Sequence, residues 1–238
     1  SSEWDKFAVE TYKANFKDHP AGDITTIHPE SIPDFEILLA GFPCQPFSSI
    51  GKRQGFKHKT QGTLFYNIAE ILRVKKPAAF ILENVVGLKT HMSGDESTLT
   101  IITDTLQELN YDINIQILDS SDFGLPQKRK RIFIVGFLRE NFPFLSGFKF
   151  PKPKGEKVFV NSILEKNISG YSISKHLQKT YMFKIDDGRP ELVDENSTFQ
   201  AKTLVSTYHK IQRLTGTFVK GGETGMRLLS EKECKRLM

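Results

Sequence analysis

The sequence predicts an α/β fold, a doubly wound and mostly parallel sheet with a smaller, irregular domain attached. Three observations carry this. Over the first 149 residues, short aliphatic runs that stop at Gly, Glu or Pro alternate with segments of helical period, the pattern of strands joined through crossover helices. From about Phe150 the rhythm ends: Pro151, Pro153 and Gly155 interrupt it, and the stretch to about Gly225 has short mixed runs, many Lys and no helical period. The length of 238 residues with 38% hydrophobic content suffices for a core domain plus a smaller one. The expected division is residues 1–149 for the α/β domain, 150–226 for the irregular domain and 227–238 for the start of a helix returning to the first.

The elements follow in order. Trp4, Phe7, Ala8, Tyr12 and Phe16 fall at helical spacings, which predicts an amphipathic helix packed on a sheet, with Glu3 and Trp4 at its start. Gly22-Asp23 reads as a turn. Phe35 to Ala40 is a short aliphatic run stopped by Gly41 and Pro43, so it predicts a buried strand ending in a loop. A polar loop runs from Ser48 to Gly62, with Gly51, Gly55 and Gly62 as hinge candidates. Thr63 is placed to cap a helix whose apolar face is Leu64, Phe65, Ile68, Ala69, Ile71 and Leu72, stopped before Pro77. Ala79 to Leu82 predicts the next buried strand, with Glu83 at its end. Leu99, Ile102, Leu106 and Leu109 mark a further helix, and Ile113, Ile115 and Ile117 alternate as a strand. A turn at Asp122 to Pro126 leads through basic residues into the strand Ile132 to Val135. Ser230-x-x-Glu233 forms a capping box that opens a last helix.

Composition excludes several classes. No apolar run approaches the roughly 18 residues of a membrane span, and no signal-peptide pattern opens the chain, so a cytoplasmic protein is expected. Cys44 and Cys234 lie far apart without metal-ligand spacing, which argues for free thiols rather than a disulfide framework or zinc. A net charge of +5 suits a polyanionic partner, and its clustering says more. Lys52, Arg53, Lys57, His58 and Lys59 crowd one loop, and Lys128 to Arg131 form a second group; both suit phosphate contacts.

The first of these loops follows Gly41-Phe-Pro-Cys-Gln-Pro-Phe-Ser48. Ligands of open α/β sheets bind beyond the carboxyl ends of strands, and Pro43 and Pro46 stiffen the backbone around the thiol, so Cys44 is a nucleophile candidate. Read with Glu83-Asn84-Val85 and Gln127-Lys128-Arg129-Lys130-Arg131 in that order, the segment resembles the DNA cytosine methyltransferases that act on carbon 5. The resemblance extends over nearly the whole chain and rests on several separate motifs. It implies the sheet of the S-adenosylmethionine-dependent methyltransferases, with the irregular domain as a target recognition domain.

The resemblance also implies a chemistry. Carbon 5 of cytosine is a poor nucleophile; addition of the Cys44 thiolate at carbon 6 makes the ring an enamine that attacks a methyl sulfonium. Glu83 would hydrogen-bond ring nitrogen 3 and the exocyclic amine, its pKa raised by burial next to the base, and Arg129 and Arg131 would face the base carbonyl and a phosphate. For S-adenosylmethionine the family's pattern points to Glu3 and Trp4 at the ribose and adenine, Asp23 and Ile24 at the adenine, and Pro43 and Leu64 in the same pocket. Gln45, Ser48, Lys52, Arg53 and Thr203 would contact duplex DNA, Thr203-Leu204 matching the Thr-Leu pair of the recognition region and Lys220-Gly221-Gly222 a turn near phosphate. The cytosine must be flipped out of the stack, the loop from Ser48 to Gly62 closing over it, with no metal required.

The expected protein is a monomer on DNA in the bacterial cytoplasm, associated with the nucleoid, the modifying partner of a bacterial or phage restriction system. A tRNA cytosine methyltransferase and a non-catalytic nucleic-acid-binding relative are the alternatives; no Cys-Phe-Thr signature of the tRNA branch is present, and the intact Cys44, Glu83 and Arg131 set argues against the second. The family's opening strand with its Gly-rich turn and its closing Gly-Asn-Ser-Val type motif have no match here. The chain is therefore expected to be a segment of a longer protein, binding S-adenosylmethionine weakly and transferring no methyl group by itself.

Overall fold

The computed structural model describes residues 1–43, 64–93, 95–142 and 147–238, and they form two compact units. One comprises Ser1–Ile117 and Arg131–Phe150, the other Leu118–Lys130 and Pro151–Met238.

The first unit opens with helix α1 (Lys6–Phe16), whose cap is Asp5. One carboxylate oxygen of Asp5 accepts from the Phe7 and Ala8 amides at 3.0 and 2.9 Å, so the helix starts two residues later than Trp4. Strand β1 (Ile37–Gly41), helix α2 (Leu64–Lys75) and strand β2 (Ala79–Val85) follow. A two-residue hairpin of β3 (Met92–Ser93) and β4 (Glu96–Ser97) leads into α3 (Thr98–Glu108), then β5 (Tyr111–Asp119) and β6 (Lys130–Leu138). The sheet order is β1-β2-β6-β5. Strands β1 and β2 are parallel and β6 runs antiparallel to β2, so the sheet is mixed, an arrangement common among doubly wound folds.

Periodicity explains the packing. In α2 the residues Phe65, Ile68, Ala69 and Leu72 recur at i, i+3, i+4 and i+7, and all are buried. They meet Phe80 and Leu82 of β2, Ile132 and Ile134 of β6, Tyr111 of β5, and Ile102 and Leu106 of α3 in one core. Each such side chain contributes about 1.5–3 kcal/mol on burial. Lys76 stops α2 in the left-handed region at φ 45°, its amide returning to the Leu72 carbonyl at 2.9 Å, and Pro77 prevents continuation.

Period two places the other half of β2, Ala79, Ile81, Glu83 and Val85, on the opposite face. There the register sets Leu39 beside Ile81 and Gly41 beside Glu83. This face is open among the described residues: Ile37 is 59% and Leu39 71% exposed. Among the described residues none of helix α1 is buried, where its pattern predicts packing on the sheet: Ala8, Val9 and Tyr12 are half-buried, and Phe7 and Phe16 face solvent. Its periodic apolar residues define a stripe, and a stripe is buried only where another surface meets it.

The second unit has a small sheet, β7 (Glu191–Val193), β8 (Thr217–Lys220) and β9 (Met226–Arg227), with β7 parallel and β9 antiparallel to β8. The three-residue helix α4 (Lys175–Leu177) continues into a π turn, Gln178–Met182, and α5 (Glu231–Arg236) closes the chain. The predicted capping box holds: Ser230 Oγ accepts from the Glu233 amide at 3.1 Å, and a Glu233 carboxylate oxygen accepts from the Ser230 amide at 2.8 Å. Leu229 and Leu237 belong to this unit's core with Ile173, Met182, Val193, Tyr208 and Phe218. Arg227 and Glu233, both buried, form a two-pronged ion pair at 2.7 and 2.8 Å that the sequence reading did not foresee.

Candidate active site

Glu83 stands near the carboxyl end of β2, on the face that α2 and α3 leave uncovered. Its register partners are Gly41 on β1 and Phe133 on β6. Because β6 runs antiparallel, its first residues lie at the carboxyl ends of β1 and β2, and Arg131 is the register partner of Val85. Arg131 and Val85 point to one face with Glu83. The Arg131 Nε donates to Glu83 Oε1 at 2.8 Å, with 17% of the arginine side chain and 35% of the glutamate side chain exposed. The other carboxylate oxygen reaches over Gly41, where an added Cβ would lie 3.6 Å from Oε2. A side chain at position 41 would therefore sit against the carboxylate, and glycine keeps the approach open.

Three residues after Gly41 comes Cys44. Cys44, Gln45, Ser48, Lys52 and Arg53 lie outside the described residues, as do the loop from Ser48 to Gly62 and the cap Thr63. Phe42 is buried against the Phe65 ring at 5.7 Å, and Pro43 is exposed. Leu64 opens α2 and packs on the edge of the core.

The N-terminal residues form a second group. The Ala21 amide donates to the Ser1 carbonyl at 2.9 Å and Ser2 Oγ to the Gly22 carbonyl at 2.5 Å, which draws Glu3-Trp4 and Asp23-Ile24 onto adjoining stretches of backbone. A Glu3 carboxylate oxygen accepts from the Trp4 and Asp5 amides at 2.9 Å. The Trp4 indole is 77% exposed. Asp23 caps a short 3-10 turn through the Thr25 amide, and Ile24 lines a cavity of about 190 Å³ with Ile27, His28, Asn67 and Ile71.

In the second unit Arg129 is exposed and its amide donates to Asp119 Oδ1 at 3.1 Å. Thr203 Oγ1 donates to the Lys128 carbonyl at 2.7 Å. Beside it the side-chain carbonyl of buried Gln127 accepts from the Leu204 amide at 2.9 Å. Sequence reasoning placed Gln127 in a motif but gave it no role; a lone polar residue after Pro126 carries no periodic signal of burial. The Lys220 ammonium pairs with Asp194 at 2.8 Å. No cluster of metal-ligating side chains occurs among the described residues, and no described helix is long and apolar enough to cross a membrane.

Comparison with known proteins agrees with this architecture. Over all 238 residues the chain is 55% identical to the type II methyltransferase M.MspI of Moraxella sp, covering 56% of that relative. It is 54% identical to the type II methyltransferase M.BsuFI of Bacillus subtilis, covering 57% of it. The chain thus spans about half the length of the curated relatives it matches. The solved structure of the Dnmt2 methyltransferase of S. pombe shares the fold with a TM-score of 0.75 at 18% identity, over 99% of this chain and 77% of that one. The family model described as C-5 cytosine-specific DNA methylase matches residues 1–238, and the chain belongs to that family.

Proposed function

We propose that the protein carrying this chain methylates carbon 5 of a flipped-out cytosine in a specific duplex DNA sequence, as the modifying enzyme of a type II restriction system. It would act as a monomer on DNA in the bacterial cytoplasm, at the nucleoid. The observation that carries the reading is the Glu83 carboxylate, laid over Gly41 three residues before Cys44 and held by Arg131 at 2.8 Å. Family membership and the type II relatives support it.

In this mechanism Cys44 adds as thiolate to carbon 6 of the cytosine, and the electron pair of the ring double bond moves toward carbon 5 and the ring nitrogens. Glu83, in its protonated form, gives its proton to ring nitrogen 3 and accepts from the exocyclic amine, which spreads the charge of the electron-rich ring. Arg131 fixes the Glu83 carboxyl and faces the base carbonyl. After methylation a base removes the carbon 5 proton, the Cys44 sulfur leaves as thiolate and ring nitrogen 3 returns its proton to Glu83, restoring the ring. Arg129 and Lys128, exposed beside Thr203, contact phosphate.

S-adenosylmethionine, when bound, supplies the methyl group. The residues present fit it. The exposed Trp4 indole offers an apolar face to stack on an adenine, Ile24 an apolar side chain near it in the chain's fold-back, and the Glu3 and Asp23 carboxylates, on adjoining backbone, acceptors for ribose hydroxyls and an amino group.

The test uses the full-length gene product with duplex DNA containing 5-fluorocytosine and S-adenosylmethionine, run on a denaturing gel. Fluorine at carbon 5 blocks the last elimination, so a covalent band is expected. The Cys44→Ser protein is expected to lose the band and methyl transfer while its DNA affinity stays within about tenfold. Absence of the band with the parent protein, or turnover by Cys44→Ser above about a hundredth of the parent rate, would overturn the proposal.

A further inference from the structure

The second unit joins three distant segments through one buried side chain. Gln127 Oε1 accepts from the Leu204 amide at 2.9 Å, and Gln127 Nε2 donates to the Leu237 carbonyl at 3.1 Å, across 77 and 110 residues of sequence. A primary amide is suited to this because it carries a donor and an acceptor on one planar group.

The surrounding backbone shows what the amide holds. Gln127 and Ala201 form an isolated parallel bridge: the Lys128 amide donates to the Ala201 carbonyl and the Ala201 amide to the Pro126 carbonyl, both at 2.9 Å. After Ala201 the chain leaves this ladder, and two of its next amides are met by side chains. Lys202 donates to Thr217 Oγ1 at 3.1 Å and Leu204 to Gln127. Between them Thr203 turns its hydroxyl to the Lys128 carbonyl at 2.7 Å. From the other side Ser120 Oγ donates to the Gln127 carbonyl at 2.6 Å, and Asp119 Oδ1 accepts the Arg129 amide. The segment Pro126–Arg129 is gripped along both edges, with Gln127 inward and Lys128 and Arg129 outward.

We propose that Gln127 is a positioning residue for DNA recognition: its amide fixes Thr203 and Leu204 relative to Lys128 and Arg129, so that one hydroxyl and two cations present a single preset surface to the duplex. This rests on the reading of the protein as a DNA methyltransferase. A preset surface spares the ordering cost of binding, so its loss weakens docking and the discrimination between sequences while leaving chemistry on a docked base intact.

The experiment compares the full-length gene product with its Gln127→Met and Gln127→Glu variants. Methylated positions are first mapped by methylation-sensitive sequencing in expressing cells, and KM for a duplex carrying the mapped target, KM for S-adenosylmethionine and kcat are then measured. Gln127→Met keeps the volume and loses both hydrogen bonds. It is expected to raise KM for DNA about tenfold or more and to add off-target methylated positions, with kcat and KM for S-adenosylmethionine within about twofold. Gln127→Glu keeps the acceptor for the Leu204 amide and, held neutral by burial, a hydroxyl that donates to the Leu237 carbonyl in place of the amide N–H. It is expected to hold KM for DNA within about threefold of the parent.

A folded Gln127→Met protein with unchanged KM for DNA and unchanged targets would show that the amide only fills the core, and would overturn the proposal. If Gln127→Met does not fold, Gln127→Glu decides: a tenfold rise in its KM for DNA, with both hydrogen bonds kept, would overturn the proposal, and the parent value sustains it. Failure of the parent to methylate DNA at all is a separate outcome and defeats the underlying reading.

Discussion

Two ion pairs, one in each unit, show how the same chemistry serves different ends. In the second unit Arg227 and Glu233 are buried and joined by two hydrogen bonds. Glu233 also accepts the Glu165 and Ser230 amides at 2.7 and 2.8 Å, and Arg227 donates to the Leu228 and Glu165 carbonyls. Charges so deep are tolerable only with their lone pairs and protons satisfied. In the first unit the Glu83 carboxyl keeps about a third of its surface open and lies over a glycine. The buried pair is a fixed joint, whereas the Glu83 carboxyl of the other pair stays partly exposed.

The contrast is sharpest under mutation. Glu233→Ala strands the Arg227 guanidinium in the core, and about 3–5 kcal/mol of stability should be lost, read as a fall in the urea midpoint of the second unit. A loss below about 1 kcal/mol, the range of surface pairs, would erase the difference between the two pairs.

Glu83→Gln should act the opposite way. The glutamine amide keeps an oxygen to accept from Arg131 Nε, so the unfolding midpoint should hardly move, whereas methyl transfer by the full-length protein should fall roughly a hundredfold because an amide does not deliver a proton to ring nitrogen 3. Single-turnover kinetics on duplex DNA check this. An unchanged rate would remove Glu83 from the chemistry and leave the open pair without a role.

A third change probes the ground on which the open pair stands. Phe80, three residues before Glu83, packs against Gly136 directly across the β2-β6 pair, and a methyl group at position 136 would overlap its ring. Gly136→Ala should cost about 1–3 kcal/mol through overpacking, measured by thermal unfolding. No loss would mean that the Phe80 ring has a second place to go.

The smallest effect belongs to Cys234 on α5, beside the fixed joint. Burial, with the Glu233 and Glu231 carboxylates adding, pushes its thiol up to about 11 from an ordinary value of 9.0. The folded state thus favours the neutral thiol. The stability this gives is complete below the unfolded value and declines as pH rises through the folded one, between pH 9 and about 11. A Cys234→Ala protein should show a shallower alkaline decline, and alkylation of Cys234 at pH 8 should be slow. Rapid alkylation in the folded state would place the thiol in a more open setting.

Much of this was legible in the sequence, for identifiable reasons. The strands β2 and β6 and the helices α2 and α3 announce themselves because one face of each is buried, and burial enforces a period of two or 3.6 on residue type, whereas β1, predicted as a buried strand, is at most half-buried among the described residues. The capping box at Ser230 and Glu233 is legible because its partners are three residues apart and its geometry is local. Glu83 could be singled out as the charged residue ending an aliphatic strand. The pairing of Glu83 with Arg131, the reach of its carboxylate over Gly41, the grip of Gln127 on Leu204 and the burial of Arg227 join residues that are distant in sequence, and no local pattern encodes them. Helix α1 marks the limit from the other direction: its apolar stripe is plain in the sequence, yet no described surface covers it. Sequence by itself determined which elements form and which residue types end them, since those follow from local geometry and burial. Tertiary structure alone decided which ends meet, because hydrogen bonds and charge pairing act over a few ångströms of space and are indifferent to separation along the chain.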